Sequence, residues 1–108
     1  PYIYMGEEIG MVNPEYDSMA DYVDVESINA YQMLLDQGKS PEQAFKITQA
    51  KSRDNSRTPM QWDASENAGF STGTPWLKAG KSYKDINVEN EINGSIFNFY
   101  KELIRLIL

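Results

Sequence analysis

The densest polar segment of this 108-residue chain reads SRDNSRTPMQW and runs from Ser52 to Trp62. Its serines, asparagine and aspartate can hydrogen-bond to the nearby backbone and hold a surface loop together. Carboxylates and arginines set among aromatic residues also suit carbohydrate recognition. Charged groups bind sugar hydroxyls through charge-assisted hydrogen bonds, and flat apolar faces meet sugar rings. The residue types alone leave both interpretations open.

This segment opens a long stretch, from Arg53 to about Val88, in which hydrophobic periodicity disappears. The stretch is rich in Asn, Ser, Gly, Thr and Pro. A connection of this length is uncommon inside a compact domain and is commonly a functional loop. We expect Trp62 and Trp76 to act as packing anchors that fix the loop to a larger body.

Two helices are predicted before this loop. Asp24 is a candidate N-cap for a helix that runs to about Asp36, and Gly38 is placed to stop it. Ser40–Gln43 then has the pattern of a capping box with proline at the first helical position. The second helix is expected to run to about Lys51.

The two ends of the chain carry the remaining elements. Tyr2–Met5 is aromatic and β-branched, which predicts a buried strand, and Gly6 ends it. Apolar residues from about Gly94 onward recur along one face of a final helix. The pattern is a βα unit with a large insertion, and one such unit cannot bury its own faces. Both ends look severed, so we expect residues 1–108 to be a fragment without a complete domain.

The composition excludes several classes of function. The formal net charge is −6, which argues against nucleic-acid binding because phosphates need basic partners. The chain contains no Cys and no His, which excludes disulfides, a Ser-His-Asp triad, a Cys nucleophile and a thiolate- or His-ligated zinc site within it. No apolar run is long enough to span a membrane. We expect no cofactor and no metal, and a cytoplasmic location.

Three segments together carry a resemblance to a known family. They are Tyr2–Met11, Asp24–Ser27 and Ser52–Trp62. Together they resemble the oligo-1,6-glucosidase group of the α-amylase superfamily, which includes dextran glucosidases, sucrose isomerases and trehalose-6-phosphate hydrolases. The resemblance covers nearly the whole chain.

Within the group, Lys51–Arg57 looks most like the trehalose-6-phosphate hydrolases. The oligo-1,6-glucosidases more often carry Gly and Ala where this chain has Ser52 and Ser56. The segments Asn67–Phe70 and Gly73–Trp76 favour the same subgroup. The resemblance therefore implies hydrolysis of trehalose 6-phosphate to glucose and glucose 6-phosphate, with oligo-1,6-glucosidase or dextran glucosidase activity as the alternative.

The resemblance also implies a fold and a mechanism. Members are (β/α)8 TIM barrels with sites at the C-terminal ends of the strands. Tyr2–Met5 would be the eighth strand, the long segment after it the eighth βα loop, and the final helix the eighth helix. Retaining hydrolysis uses two carboxylates about 5–5.5 Å apart. In the family these lie upstream of this segment, so the chain itself would carry no catalytic residue and be inactive alone.

Two substrate-binding residues are implied by their positions in the motifs. Arg53 matches an arginine that holds the non-reducing glucose, and Glu26 matches a glutamate that lines the neighbouring subsite. The structural alternative is an ion pair between the two, or with the rest of the barrel. Asp54 and Arg57 are expected to brace the loop. The groups that bind phosphate are expected elsewhere in the barrel.

The expected partners are a small-molecule α-glucoside and the rest of the catalytic barrel, with no nucleic acid and no membrane. We expect the isolated chain to be mainly helical and to self-associate through exposed apolar faces. Two other classes stay open. One is a non-catalytic relative, such as the barrel-shaped subunits of amino-acid transporters. The other is a free-standing sugar-binding module, which the lone predicted strand disfavours.

Overall fold

The computed structural model describes residues 2–108, and the chain is mainly helical. Helix α1 spans Val25–Asp36 and helix α2 spans Pro41–Lys51, and the two pack against each other. A short helix, α3 (Val88–Glu91), precedes the long final helix α4 (Ser95–Ile107). Within the described residues, the connecting segments contain five short 3-10 helices: Glu7–Ile9, Met19–Asp21, Arg53–Ser56, Glu66–Gly69 and Lys81–Lys84. All three long helices that the sequence predicts are confirmed.

The turn between α1 and α2 explains why one helix ends and the next begins. Gly38 has a φ of 93°, a left-handed conformation that glycine adopts without the steric cost of a side chain. The N–H of Lys39 donates to the carbonyl of Leu34 at 3.1 Å, which closes the end of α1. Ser40 Oγ accepts the N–H of Gln43 at 3.2 Å, and the Gln43 side chain accepts the Ser40 N–H at 3.3 Å. The predicted stop and capping box are confirmed.

The strand predicted at Tyr2–Met5 is not formed, and none of residues 2–108 belongs to a β-strand. A strand needs a neighbouring strand to accept and donate its backbone hydrogen bonds, and the described residues offer none. Glu7 Oε1 instead accepts the N–H of Tyr4, and Glu8 Oε2 accepts the N–H of Gly6, each at 3.0 Å. Both glutamates therefore stabilise the local backbone.

A small aromatic core joins α2 to the loops. Tyr16, Tyr22 and Leu77 are each 3% exposed, and the two tyrosine rings meet edge to face with centroids 5.2 Å apart. Tyr22 also meets Phe45 of α2, at 6.4 Å. The Tyr16 hydroxyl donates to the carbonyl of Lys78. Burial, the largest cause, raises the pKa of both tyrosine hydroxyls above the ordinary value, so both rings stay neutral in this core.

Buried polar side chains order the aperiodic loop between α2 and α3. Gln61 is fully buried, and its Nε2 donates to the carbonyl of Ile86 at 2.6 Å. Asn87 is 1% exposed and caps α3 by accepting the N–H of Asn90 at 2.8 Å. Because each amide side chain satisfies backbone groups that no regular element pairs, the loop holds a defined path without periodic structure.

The tryptophans of this loop do not anchor it within the chain. Trp62 is 49% exposed and Trp76 is 79% exposed. The buried apolar side chains of the loop include Met60, Ala68 and Leu77, at 6%, 0% and 3%. Neither tryptophan is buried within residues 2–108, so their packing on a larger body stays a prediction.

Helix α4 carries the most exposed apolar surface. It buries none of its residues, and Ile96, Phe99 and Ile107 are 42%, 64% and 55% exposed. The helix touches the first 3-10 helix, and a Cβ on Gly10 would come within 2.7 Å of Ile96 Cδ1. None of the helices within residues 2–108 is both long and apolar enough to cross a bilayer.

The dimensions of the chain agree with this exposure. Its accessible surface is 7344 Å², whereas a compact protein of its mass exposes about 6100 Å². Its radius of gyration is 16.4 Å, against about 13 Å for a compact chain of this length. The residues described therefore leave much more surface open than a self-contained domain would.

Candidate functional site

The structure brings the two residues predicted to bind substrate into direct contact. Glu26 lies in the first turn of α1, and Arg53 begins the 3-10 helix that follows α2. Arg53 Nε is 2.9 Å from Glu26 Oε2, and the side chains are 59% and 68% exposed. An ion pair this exposed contributes only about 0–1 kcal/mol to folding. The ion pair therefore contributes little to the stability of the fold, and both charged groups face the solvent.

The start of α1 places Glu26. Asp24 Oδ1 accepts the N–H of Glu26 at 3.3 Å, and the Ser27 hydroxyl donates to Asp24 Oδ2 at 2.8 Å. Partial desolvation, the largest single contribution, raises the pKa of Asp24. The hydrogen bonds from Ser27 and from the N–H groups of Glu26 and Arg53, with the charge of Arg57, outweigh it and lower the pKa overall. Asp24 therefore stays ionised and caps the helix as a carboxylate.

Asp54 connects the Arg53 turn to the start of α1. It is fully buried, and its Oδ2 accepts the N–H groups of Val23 at 2.8 Å and Asp24 at 3.0 Å. Its own N–H donates to Ser52 Oγ at 3.1 Å. Among residues 2–108, Asp54 Oδ1 is buried without a hydrogen-bond partner. These contacts are those of a residue that braces the loop.

Other contacts tie the Arg53 turn to its surroundings. Ser56 Oγ donates to the carbonyl of Arg53 at 3.1 Å, and Asn55 Nδ2 donates to the carbonyl of Gln49 in α2 at 3.0 Å. The Tyr4 hydroxyl donates to the carbonyl of Ser56. The turn is thus held by α2 on one side and by the first residues of the chain on the other.

A groove of about 210 Å³ lies between α1 and α2 and includes the ion pair in its lining. Its charged lining residues include Glu26, Lys51 and Arg53, and its apolar ones include Ala30 and Leu34. Charges of both signs in one groove can donate to and accept from the hydroxyls of a polar ligand. Within residues 2–108, no three His, Cys, Asp or Glu side chains come close enough to share a metal ion.

A contact between two serines beside the site was not predicted from the sequence. Ser27 and Ser52 are 5% and 6% exposed, and their Oγ atoms share a hydrogen bond of 2.8 Å between α1 and the Arg53 turn. Ser27 stands three residues after the N-cap Asp24, a spacing that allows their side chains to meet. The pairing of Ser27 with Ser52 joins segments distant in sequence, and no local pattern indicates it.

Comparison with known families identifies the group to which this arrangement belongs. Residues 1–107 match the family described as the α-amylase catalytic domain. The chain belongs to the α-amylase family. The trehalose-6-phosphate hydrolase of Bacillus subtilis strain 168 is 49% identical over 108 residues, which cover 98% of the chain and 19% of that protein. The oligo-1,6-glucosidase of Parageobacillus thermoglucosidasius is also 49% identical, over 109 residues and the same shares.

Solved structures of α-amylase family proteins share the fold described above. A crystal structure of Bacillus licheniformis trehalose-6-phosphate hydrolase superposes with a TM-score of 0.92 at 53% identity, over 98% of this chain and 20% of that one. The isomaltulose synthase of Erwinia rhapontici NX5 gives a TM-score of 0.85 at 47% identity, over the same shares. The chain spans about one fifth of the length of these relatives. The resemblance to this superfamily is confirmed.

Proposed function

We propose that this chain is part of a retaining α-glucosidase that hydrolyses trehalose 6-phosphate to glucose and glucose 6-phosphate. In this proposal the chain supplies the substrate-binding residues Arg53 and Glu26 and no catalytic carboxylate. The observation that carries it is that both charged side chains are more than half exposed and line one groove, although they also form an ion pair of 2.9 Å. The relatives named above support the class of reaction.

The chemistry of the pair suits a sugar. Arg53 meets Glu26 through Nε, and the N–H groups on its two terminal nitrogens form a planar fork that can donate to adjacent hydroxyls. Glu26 can accept from a hydroxyl of the neighbouring sugar unit. Because the ion pair itself adds little to stability at this exposure, substrate binding gives these two charges a function that folding alone does not.

The other carboxylates of this site serve the backbone. Asp24 caps α1, and Asp54 is fully buried and accepts two backbone N–H groups. A nucleophile and an acid/base residue must both reach the scissile bond, about 5–5.5 Å apart. These observations support a division in which the remainder of the barrel supplies both catalytic carboxylates and this chain helps to bind the sugar.

In the assembled enzyme we place Tyr2–Met5 at the eighth barrel strand, α1 and α2 in the loop after it, and α4 at the eighth helix. A neighbouring barrel strand would then supply hydrogen bonds to Tyr2–Met5, and other barrel helices would cover the apolar face of α4. The large exposed surface of the chain supports this placement. A small α-glucoside and the rest of the barrel are its proposed partners, and we propose a cytoplasmic location.

A second activity is favoured by a specific observation. The oligo-1,6-glucosidase and the trehalose-6-phosphate hydrolase named above are equally similar to this chain, at 49% identity. Oligo-1,6-glucosidase activity is therefore the alternative to phosphotrehalase activity.

Hydrolysis of trehalose 6-phosphate and of isomaltose by the full-length protein, at equal enzyme concentration, tests the proposal. We expect strong preference for the phosphorylated sugar. Preference for isomaltose would overturn the phosphotrehalase assignment and establish the alternative. Activity on neither sugar would contradict both and point to a non-catalytic relative.

A further inference from the structure

Two short segments of the candidate site are locked together beneath its surface. Ser27 and Ser52 share a hydrogen bond of 2.8 Å between their Oγ atoms, although they lie on α1 and on the end of α2. Asp54 adds two bonds to the backbone just before α1, at 2.8 and 3.0 Å. All three side chains are at most 6% exposed. These buried hydrogen bonds therefore link the two segments directly.

The protons in this network can be arranged in one consistent order. A hydroxyl carries a single proton, and Ser27 uses its proton to donate to the carboxylate of Asp24 at 2.8 Å. The bond between the serines then takes its proton from Ser52, whose Oγ in turn accepts the N–H of Asp54 at 3.1 Å. Every hydrogen bond in such a series polarises the next one. The connected series is therefore more rigid than the same hydrogen bonds would be separately.

Each exposed charge of the site lies between two members of this network. In the sequence, Glu26 lies between Asp24 and Ser27. Arg53 lies between Ser52 and Asp54. Ser52 is central to this network. It is the C-cap of α2 and the N-cap of the 3-10 helix that begins with Arg53. Its hydroxyl also forms a hydrogen bond with that of Ser27. A change at Ser52 would alter the position of Arg53 relative to Glu26.

We propose that the buried hydrogen-bond chain from Asp54 through Ser52 and Ser27 to Asp24 positions Arg53 and Glu26 for sugar binding. In this account Ser52 is the central positioning residue. The inference rests on the proposed function, because it assigns the network a task in binding the α-glucoside. Ser52 touches no substrate and acts through the two charged side chains.

Replacement of Ser52 in the full-length enzyme tests the inference, with Ser18 as the matched control. Each serine caps a 3-10 helix through its Oγ, but Ser18 caps Met19–Asp21 and, within residues 2–108, bonds only to the N–H of Ala20. We expect Ser52→Ala to raise KM about two- to tenfold, the effect of one lost hydrogen bond, with little change in kcat. We expect Ser18→Ala to leave KM within about twofold of the unchanged enzyme. An unchanged KM in a folded Ser52→Ala protein would overturn the inference.

A double-mutant cycle separates positioning from a general loss of structure. If Ser52 acts through Glu26, Ser52→Ala should raise KM much less in a Glu26→Gln background than in the unchanged enzyme. Equal effects in both backgrounds would show that Ser52 is merely structural and would overturn the inference. Should Ser52→Ala fail to fold, Ser27→Ala breaks the same bond from the α1 side and is expected to give the same coupling.

The single variant Glu26→Gln distinguishes failure of this inference from failure of the proposed function. A raised KM for Glu26→Gln together with an unchanged KM for Ser52→Ala would remove the positioning role and keep the binding site. An unchanged KM for both Glu26→Gln and Arg53→Ala would remove the site itself, and the inference with it.

Discussion

The start of α1 with the Arg53 turn, and helix α4, are stabilised in opposite ways. In the first region Ser27, Ser52 and Asp54 are at most 6% exposed and hydrogen-bond to one another or to the backbone across two segments. In the second region α4 buries none of its residues, and Leu106 is 82% exposed. The site region is ordered from within the chain, whereas α4 presents an apolar face that needs an external partner.

The two regions differ because they depend on different kinds of interaction. Hydrogen bonds are directional, so a connected set of them fixes a local geometry without a large core. Hydrophobic burial is non-directional and requires a surface to pack on. The candidate site therefore keeps its geometry within residues 2–108, while in the proposed barrel α4 would be stabilised by neighbouring elements.

Removal of an apolar side chain from α4 should have the largest effect. We expect Phe99→Ala to lower the free energy of unfolding of the full-length protein by about 3–5 kcal/mol, because the ring would be buried against the barrel. Glu102→Ala on the same helix serves as the control, since its exposed contact with Arg105 contributes little. Urea unfolding measures both. An equally small loss in both variants would show that α4 is solvent-exposed in the enzyme as well.

Removal of a buried amide should have an intermediate effect. Gln61→Ala would leave the carbonyl of Ile86 without its partner at 2.6 Å, and we expect a loss of about 1–3 kcal/mol in the free energy of unfolding. The matched control is Gln32→Ala, because Gln32 makes an exposed bond to Asp36 on α1. Equal losses would contradict the claim that buried amides order the loop.

Acidification should reveal the smallest effect, at Asp24. Its pKa is lowered below the ordinary 3.8, so its ionised form stabilises the fold above that pH. The contribution is lost as the pH falls through the lower pKa of the folded state. Asp24→Asn keeps an N-cap but cannot titrate. We expect the variant to lose less thermal stability than the unchanged enzyme between about pH 5 and about pH 3. Equal losses would contradict the assignment.

Local patterns predicted the helices well. Asp24, Ser40 and Gly38 act through neighbours within a few residues, so their capping and stop signals are visible in the sequence. The strand at Tyr2–Met5 was predicted from its residue types but is not formed, since pairing requires a second strand. Trp76 was predicted to pack on a larger body and is 79% exposed within residues 2–108. That prediction stays untested, because burial depends on what surrounds a side chain and not on its type alone.

The two residues of the candidate site were predicted from the sequence, but the hydrogen bonds that hold them in place were not. The family motifs indicated Glu26 and Arg53, and the structure shows the ion pair between them that was the structural alternative. The bond between Ser27 and Ser52 could not be predicted, because it arises only when α1 and α2 pack and bring two distant serines together. Non-local contacts of this kind depend on tertiary structure.

The most direct test of the account compares two arginines of similar exposure in the full-length enzyme. Arg53 pairs with Glu26 at 2.9 Å in the site, and Arg105 pairs with Glu102 at 3.5 Å on α4. We expect Arg53→Ala to lower kcat/KM about 10- to 150-fold, the loss of a charged hydrogen bond of about 1.5–3 kcal/mol. Arg105→Ala should leave kcat/KM within about twofold. An unchanged kcat/KM for Arg53→Ala would contradict the assignment of this surface as the sugar-binding site.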